Sequence, residues 1–313
     1  MSIERKSGYL LSVVVPVFNE EEVIREFVHR AQAVVRGLGC RHEIIFINDG
    51  SRDRSADYLR EEKAKDANLK IVHFSRNFGH QAAITAGLDY AQGDAVIILD
   101  ADLQDPPELI PELVAKWREG YDIVDAQRKR RLGETIFKTW SAAIFYRLIR
   151  KLSRVQIPVD VGDYRLIDRV AVEAFKRLRE SHRYIRGLIA WLGFRHTTVE
   201  YVRDKRYAGE TKFPLAKMLA FSMDGITSFS VLPLRIAAWL GFFCAILAFL
   251  YLPYAVYVKW ILKIAVPGWT TVIVAIFFLG GIQLLCLGIM GEYIGVLHEE
   301  VKNRPLYLVR EVE

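Results

Sequence analysis

Short runs of apolar, β-branched residues alternate along the first part of the chain with longer stretches whose apolar side chains recur at helical spacing. The short runs predict strands and the longer stretches predict amphipathic helices. The predicted strands are residues 12–17, 43–47, 70–74, 95–99 and 122–124, and the predicted helices are residues 21–38, 55–65, 81–90 and 107–117. Strands that alternate with helices imply crossover connections, so we predict an α/β domain whose parallel sheet is covered on both faces.

Polar side chains lie where four of these strands end. Asn19 follows the first strand, Asp49 the second, Asn77 the third and Asp100 the fourth. Ligands of parallel α/β sheets bind beyond the carboxyl ends of the strands. We therefore expect the functional site at this edge of the sheet.

The C-terminal part of the chain contains two long runs without a charged residue, 236–258 and 264–291. Each is longer than the roughly 20 residues that a helix needs to cross a bilayer. Aromatic side chains lie near the ends of the runs, where membrane interfaces favour them, at Trp239, Tyr257, Trp260 and Trp269. Two buried helices of a soluble protein are the alternative, but uncharged helices of this length are rare there, so we predict two membrane spans.

The distribution of basic residues predicts the orientation of these spans. Two spans place both ends of the chain on one side, and the loop between them carries only Lys259 and Lys263. The flanking segments are richer in basic residues, with Lys212, Lys217, Arg235, Lys302, Arg304 and Arg310. Because cytoplasmic segments are enriched in Lys and Arg, we expect the N-terminal α/β part and both termini in the cytoplasm.

Two further stretches are amphipathic, residues 128–151 and 213–229, and the first is strongly basic. A basic amphipathic helix suits the surface of an anionic membrane. The alternative for the first stretch is a solvated basic helix that packs on the core.

Composition agrees with a soluble domain joined to a few membrane helices. The chain is 52% hydrophobic and still 26% charged, with a formal net charge of +6. Its basic character predicts an anionic partner, namely phosphates, a membrane surface or nucleic acid. The three cysteines, Cys40, Cys244 and Cys286, are too scattered for a disulfide framework or a zinc site, which favours a reducing, cytoplasmic setting. The glycine-rich phosphate-binding motifs and the DNA-reading motifs are absent from the sequence, so we expect no nucleic-acid partner.

The strongest candidate chemistry is a pair of carboxylates, Asp100 and Asp102, directly after an apolar strand. Mg²⁺ and Mn²⁺ prefer oxygen ligands and are often held by one or two carboxylates together with substrate phosphate oxygens. We therefore predict a Mg²⁺ or Mn²⁺ site. A purely structural role is the alternative, and Asp105 is the residue that we expect to cap the following helix.

Two other loops are weaker candidates. Asp49 precedes Gly50 and Ser51, and its carboxylate could accept hydrogen bonds from a nucleotide base, although this sequence is also that of an ordinary turn. Arg76 and Asn77 could reach phosphate or base, or could belong to a plain loop between a strand and a helix.

Taken together, four ordered motifs closely resemble the family 2 glycosyltransferases of GT-A fold, in the branch that uses polyprenyl phosphates. That branch includes dolichyl-phosphate mannose synthase and the bactoprenol glucosyltransferases, and the latter share two C-terminal spans. The motifs are residues 13–20 (VVVPVFNE), 48–51 (NDGS), 75–79 (SRNFG) and 100–107 (DADLQDPP), and residues 206–213 (RYAGETKF) add a fifth similarity. Asn48 stands where the family often has an acid.

The resemblance implies a Rossmann-like nucleotide-sugar-binding domain of GT-A fold with interfacial amphipathic helices and two C-terminal transmembrane helices. The implied organisation is a cytoplasmic catalytic domain (1–212), an interfacial segment (213–234), two membrane helices (235–295) and a cytoplasmic tail (296–313). The expected partners are a nucleotide sugar, with UDP favoured, a polyprenyl phosphate lipid and the membrane; a homo-oligomer is compatible with the sequence.

The resemblance also implies roles for particular residues. Asp102 would bind the cation directly, Asp100 would support the ribose and the metal, and Gln104 would lie beside the sugar and phosphates. The nucleotide pocket would be lined by Pro16, Asn19, Glu20, Asp49 and Asn77, while Lys212 and Arg206 would contact diphosphate or acceptor phosphate.

The implied reaction is an inverting transfer in which the acceptor phosphate attacks the anomeric carbon. This nucleophile is already anionic, so positioning and charge neutralisation matter more than a strong base. Arg128 and Arg131 are expected to hold the acceptor phosphate. Asp163, or else Asp160, would orient the acceptor or act as base, and an ion pair between Asp163 and Arg165 is the structural alternative.

The resemblance to the bactoprenol glucosyltransferases favours glucose from UDP-glucose, with mannose, an N-acetylhexosamine or an aminopentose as alternatives. A processive polysaccharide synthase is a rival, but its Gln-x-x-Arg-Trp motif is absent from the sequence and two spans are few for an export channel. A non-catalytic membrane scaffold on a transferase fold is the rival from another class.

Overall fold

The structure is a computed structural model that describes residues 8–129, 161–181, 183–202, 232–261 and 268–313. The chain divides into two compact units. Unit 1 contains residues 1–219 and 304–313, and unit 2 contains residues 220–303.

Unit 1 is built on an eight-stranded sheet with the strand order β7-β5-β6-β4-β1-β2-β3-β8. The strands are β1 (Leu10–Val17), β2 (Arg41–Asn48), β3 (Leu69–Phe74), β4 (Ala95–Ile98), β5 (Ile123–Arg128), β6 (Val161–Asp168), β7 (His196–Tyr201) and β8 (Val309–Val312). The described residues of this unit form the helices α1 (Ile24–Gly37), α2 (Ser55–Lys63), α3 (His80–Tyr90), α4 (Ile110–Arg118), α5 (Arg169–Phe175) and α6 (Ile185–Trp191), and a 3-10 turn (Pro107–Leu109) precedes α4.

The centre of the sheet is the apolar strand β1, which pairs in parallel with β2 on one side and β4 on the other. Its side chains from Leu11 to Val17 are buried on both faces, as a central parallel strand requires. Helix α3 approaches this strand very closely at Gly87, where a Cβ atom would lie 1.9 Å from Val14 Cγ1. The five strands and four helices predicted up to residue 124 are all present in the structure.

The sheet is mixed, so the prediction of a parallel sheet was incomplete. Strand β6 runs antiparallel between β4 and β5, and β8 runs antiparallel to β3 at the edge. Strands β6, β7 and β8 were not predicted, because they pair with partners far away in the sequence and their runs are short or rich in polar residues.

Strand β6 brings a later part of the chain to the predicted site. Arg165 of β6 pairs with Ile98 of β4, and the two strands are antiparallel. The start of β6, with Asp163, therefore lies beside the carboxyl end of β4, which leads into Asp100.

Unit 2 contains two long helices, α7 (Leu232–Trp260) and α8 (Trp269–Val301). Both are long and apolar enough to cross a membrane, by length and composition, in the segments Leu234–Tyr251 and Val274–Val301. They expose large apolar side chains such as Trp239, Phe249 and Phe277. Exposed apolar surface of this extent indicates contact with a membrane or another partner.

The last ten residues belong to unit 1, in which β8 joins the sheet. The segment 296–313, expected to form a tail, thus contains the end of α8 and a strand of the sheet. The first predicted amphipathic stretch, residues 128–151, lies outside the described residues from residue 130 onward. The second, residues 213–229, lies entirely outside them.

Candidate active site

The loops that follow β1 and β2 are tied together at the carboxyl edge of the sheet. The backbone N–H of Arg52 donates to Asn19 Oδ1 at 2.8 Å, and the N–H of Asn19 donates to Ser51 Oγ at 3.1 Å. The N–H of Glu20 donates to Ser55 Oγ at 2.8 Å. Asn19 adopts a positive φ of 55°, a conformation that asparagine tolerates better than most residues. Pro16 is buried within β1.

Asp49 anchors the loop that follows β3. Its Oδ1 accepts from the N–H of Phe78 at 2.6 Å, and its Oδ2 accepts from the N–H of Gly79 and from Asn77 Nδ2, both at 2.9 Å. Burial raises the pKa of Asp49, although the two amide hydrogen bonds act in the opposite direction. Asp49 and Asn77 are thus brought together, and each oxygen of Asp49 already accepts at least one hydrogen bond from the protein.

Gly50 is required by this contact between loops. Its φ is +69°, and a Cβ atom there would lie 2.7 Å from the backbone of Arg76 and Asn77. No side chain fits in that space, so glycine lets the two loops touch.

Asn48 has a structural role. Its Oδ1 accepts from the N–H of Ser51 at 3.0 Å, and its Nδ2 lies 2.9 Å from His73 Nδ1. A neutral amide makes both contacts without placing a second charge beside Asp49.

Asp100 lies in a group of charged side chains at the end of β4. His80, the first residue of α3, places Nε2 3.6 Å from Asp100 Oδ1 and 3.3 Å from Asp163 Oδ2. Burial raises the pKa of Asp100 to about 6, and the charges of Asp163, Asp102 and Asp105 act in the same direction. Burial lowers the pKa of His80, but the two nearby acids outweigh it and raise the pKa to about 9. The imidazole is therefore positively charged near neutral pH.

Asp163 is held by two cations. Arg186, on α6, donates from Nε and Nη2 to its two oxygens at 2.8 and 3.1 Å. Burial raises the pKa of Asp163, but the contacts with His80 and Arg186 hold this pKa well below its usual range. The ion pair that we considered with Arg165 is made with Arg186 instead, because the Arg165 guanidinium points to Asp125 Oδ1 at 3.3 Å.

Asp102 and Gln104 belong to a tight turn after β4. The N–H of Gln104 donates to Asp102 Oδ1 at 3.0 Å, and Leu103 between them has a φ of 57°. The side chains of Asp102 and Gln104 are both half-buried.

Arg128 lies at the end of β5 and faces the same region. Its Nη2 lies 3.5 Å from Asp105 Oδ2, and its Nε donates to the Tyr201 hydroxyl at 3.2 Å. A Cβ atom on Gly162 would lie 2.9 Å from Arg128 Nη2, so the guanidinium packs on that glycine. Asp105, which we expected to cap a helix, is buried and accepts a hydrogen bond from the Tyr201 hydroxyl.

Some predicted site residues cannot be placed. Asp160, Arg131, Arg206 and Lys212 lie outside the described residues. In contrast, three contributors were missed: His80, Arg186 and Tyr201. His80 falls at the end of a motif that drew attention for other residues, whereas nothing in the sequence links Arg186 or Tyr201 to Asp163 or Asp105, which precede them by 23 and 96 positions.

Comparison with known proteins identifies the family. The model of the family described as "Glycosyl transferase family 2" matches residues 12–175, and that of the "GtrB C-terminal hairpin" matches residues 232–297. The chain belongs to glycosyl transferase family 2.

The similarity to curated family 2 glycosyltransferases extends over nearly the whole chain. An uncharacterized glycosyltransferase of Bacillus subtilis, YkcC, is 52% identical over 96% of this chain and 93% of its own. The bactoprenol glucosyl transferase of Shigella phage SfII is 42% identical over 96% of this chain and 97% of its own. A crystal structure of glucosyl-3-phosphoglycerate synthase from Mycobacterium tuberculosis, in complex with Mn²⁺, UDP-glucose and phosphoglyceric acid, is 24% identical with a TM-score of 0.47 over 71% of this chain and 79% of that one.

The carboxylates at the end of β4 in this family 2 glycosyltransferase are candidate ligands of a divalent cation. No group of three or more His, Cys, Asp or Glu side chains is placed to hold a metal anywhere in the described ranges. A cation of the Mg²⁺ type does not require such a group, since one or two carboxylates suffice when substrate phosphates supply further oxygens. Burial raises the pKa of Asp100, His80 lowers it, and the negative charges of Asp163, Asp102 and Asp105 raise it further; a bound cation would favour the ionised form of this carboxylate. Asp100 and Asp102 therefore fit a divalent cation.

Proposed function

We propose that this protein is an inverting glycosyltransferase that moves glucose from UDP-glucose onto undecaprenyl phosphate at the cytoplasmic face of a membrane. The observation that carries the proposal is the gathering of Asp100, Asp163, His80 and Arg186 at the carboxyl edge of the sheet. Acids suited to a cation and arginines suited to phosphate lie side by side there. The 42% sequence identity to a bactoprenol glucosyl transferase and the two apolar helices support a lipid acceptor.

The donor would bind over the loops that follow β1, β2 and β3. Asn19 and Glu20 belong to the first of these loops, and Asp49 and Asn77 to the other two; Pro16 lies near the end of β1, just before the first loop. Asp49 retains acceptor capacity on its oxygens for an N–H of the base, since a carboxylate offers about four lone-pair positions.

The diphosphate and sugar would lie over Asp100, Asp102 and Gln104, with Mg²⁺ or Mn²⁺ held by the two aspartates. When bound, this cation would neutralise charge on the departing nucleoside diphosphate. Asp102 would bind the cation directly, and Asp100, which lies beside His80, would support the ribose and the metal.

Arg128 would hold the acceptor phosphate, together with Arg131, Arg206 and Lys212. Its guanidinium is about one-third exposed and lies beside Asp105, in the segment that follows β4. Arginine binds phosphate oxygens in a bidentate manner. Asp163 would orient this arrangement and not accept a proton, because its lowered pKa makes it a weak base. Such a base is not needed, since the acceptor phosphate is anionic. Asp160 is the alternative carboxylate on the acceptor side.

The two apolar helices would anchor the enzyme beside its lipid substrate, with the catalytic unit and both termini in the cytoplasm. The excess of Lys and Arg in the segments that flank the apolar runs supports this orientation.

The test is a transfer assay with purified full-length protein in detergent, short-chain polyprenyl phosphate, Mg²⁺ or Mn²⁺, and a panel of labelled nucleotide sugars. We expect label from UDP-glucose in the organic phase, and we expect EDTA or the Asp102→Asn substitution to abolish it. Glu108→Gln is a matched control, because this exposed acid lies six positions further along and pairs with Arg30 on the surface.

If a different nucleotide sugar is the donor, the proposed transfer to polyprenyl phosphate stands and only the identity of the transferred sugar changes. Retention of nucleotide binding without transfer to lipid from any donor would contradict the proposal and favour a non-catalytic scaffold.

A further inference from the structure

After the second apolar helix the chain returns to the catalytic sheet. Strand β8 pairs with β3, and the N–H groups of Ile71 and Glu313 each donate to the carbonyl of the other residue at 2.9 and 2.8 Å. The N–H of Ser75 donates to the carbonyl of Leu308 at 2.9 Å. Residues 304–313, which we call the C-terminal strap, therefore run along β3 to the point where the loop of Asn77 begins.

Tyr307 of the C-terminal strap joins β3 to α3. Its ring stacks on Phe74 with 5.1 Å between centroids and 13° between planes. Its hydroxyl donates to Asp89 Oδ2 at 2.8 Å, and Asp89 is itself paired with Arg179. Tyr307 is half-buried; its ring makes the contact with β3, and its hydroxyl makes the separate contact with α3.

The contacts continue from Phe74 to Asp49. Phe74 meets the ring of Phe78 edge to face, at 5.6 Å and 88°. The N–H of Phe78 is the donor that reaches Asp49 Oδ1, and Arg76 Cζ lies over the Phe78 ring, 4.2 Å from its centroid. One continuous series of contacts thus links Tyr307 to the loop that surrounds Asp49.

We propose that Tyr307 is a positioning residue for nucleotide binding. The Tyr307 ring holds Phe74 and, through it, Phe78, so that residues 77–79 keep their donors on Asp49. This inference rests on the proposed function, in which Asp49 and Asn77 bind the donor nucleotide. The donor site is therefore complete only when the segment that follows the apolar helices has joined the sheet.

The test compares three variants of the full-length protein in detergent. Tyr307→Ala removes the ring, Tyr307→Phe keeps the ring and removes the hydroxyl, and Leu308→Ala is the control. Leu308 is 53% exposed, and its backbone carbonyl, which the substitution leaves in place, is what bonds Ser75. Amide hydrogen exchange of residues 77–79 and the KM and kcat for UDP-glucose are measured for each.

We expect Tyr307→Ala to accelerate exchange at Phe78 and Gly79 and to raise the KM by about tenfold, the value of one aromatic pair, with kcat within about twofold. Tyr307→Phe and Leu308→Ala should stay close to the wild type. The exchange measurement does not depend on the reaction, so it remains decisive even if UDP-glucose is not the donor.

Unchanged exchange in Tyr307→Ala would overturn the inference. So would faster exchange with an unchanged KM, or a Tyr307→Phe variant as impaired as Tyr307→Ala. Failure of the wild-type protein to transfer any sugar would contradict the proposed function separately.

Discussion

Arg186 donates hydrogen bonds to both oxygens of Asp163, at 2.8 and 3.1 Å, and thereby connects helix α6 to the first residues of strand β6. The carboxylate is 8% exposed and the guanidinium 31%. His80 approaches the same carboxylate from α3. Three elements that are separate in the sequence therefore meet at one acid beside Asp100.

This pair predicts the outcome of Arg186→Gln. We expect kcat/KM to fall by roughly 10- to 100-fold, because Asp163 would lose its fixed orientation. The free energy of unfolding should fall by about 2 kcal/mol, less than for a fully buried pair, because the guanidinium is partly exposed and His80 remains. Steady-state kinetics and urea unfolding in detergent measure the two effects.

Arg30→Gln is the control for that substitution. Arg30 also makes a two-bond contact with an acid, Glu108, but on the surface. Its loss should change stability by less than about 1 kcal/mol and leave kinetics unaltered. Equal kinetic effects in both variants would contradict a specific role for the Arg186–Asp163 pair.

Gly50→Ala should separate the loops after β2 and β3. The new Cβ atom would lie 2.7 Å from backbone atoms of Arg76 and Asn77, and these backbone atoms can move only if the loop after β3 is displaced. Gly39→Ala is the matched control, because Gly39 has a similar φ of +63° and open space around it. We expect Gly39→Ala to cost about 1 kcal/mol and Gly50→Ala roughly 1–3 kcal/mol more.

The KM for the nucleotide sugar adds a second measure for this pair of variants. It should rise in Gly50→Ala and stay unchanged in Gly39→Ala, since only the first glycine touches the predicted nucleotide loops. Identical stability losses would mean that the positive φ alone, and not the close approach, matters at position 50.

Gly87→Ala tests the contact between α3 and β1. The added methyl group would overlap Val14 Cγ1, so we expect a loss of roughly 1–3 kcal/mol by overpacking. The double variant with Val14→Ala should recover part of this loss, because the smaller side chain vacates the space. A double-mutant cycle from urea unfolding measures the coupling, and strictly additive losses would contradict the contact.

Glu43 predicts a pH dependence of stability. Burial raises the pKa of Glu43, but contacts with Lys70, Ser12 and the N–H of Gln92 outweigh burial and lower the pKa below 4.5. A carboxylate with a lowered folded-state pKa stabilises the protein above its unfolded-state pKa, and this stability is lost as the pH falls below about 4.5. The advantage of the wild type over Glu43→Gln in unfolding free energy should therefore be full at pH 7 and shrink on acidification below pH 5. A constant difference across that range would refute the assignment.

Much of unit 1 could be predicted because its signal is local. Strand β1 is apolar apart from Ser12 since both of its faces are covered, and α1 shows its buried side in the spacing of its apolar residues. The acids after β4 and the polar residues after β2 stand directly behind such strands, so the edge that bears the candidate site followed from the order of the elements. The two uncharged runs likewise predicted α7 and α8, because length and composition are properties of a continuous segment.

Contacts between distant segments were decided only by the tertiary structure. Strand β6 enters the sheet antiparallel between β4 and β5 and delivers Asp163 to Asp100, and Arg186 reaches it from a helix whose sequence carries no mark of this role. The pairing of β8 with β3 joins residues more than 230 positions apart, and so does the contact of Arg60 with Glu313, at a separation of 253. The periodicity of a single sequence shows which face of an element is buried, but not which other element covers that face. Any strand can form backbone hydrogen bonds with another, and any acid can pair with any base, so the sequence alone does not select the partner. The residues of the candidate site were thus largely visible in the sequence, whereas their partners, and the pKa values that follow from them, became visible only in the fold.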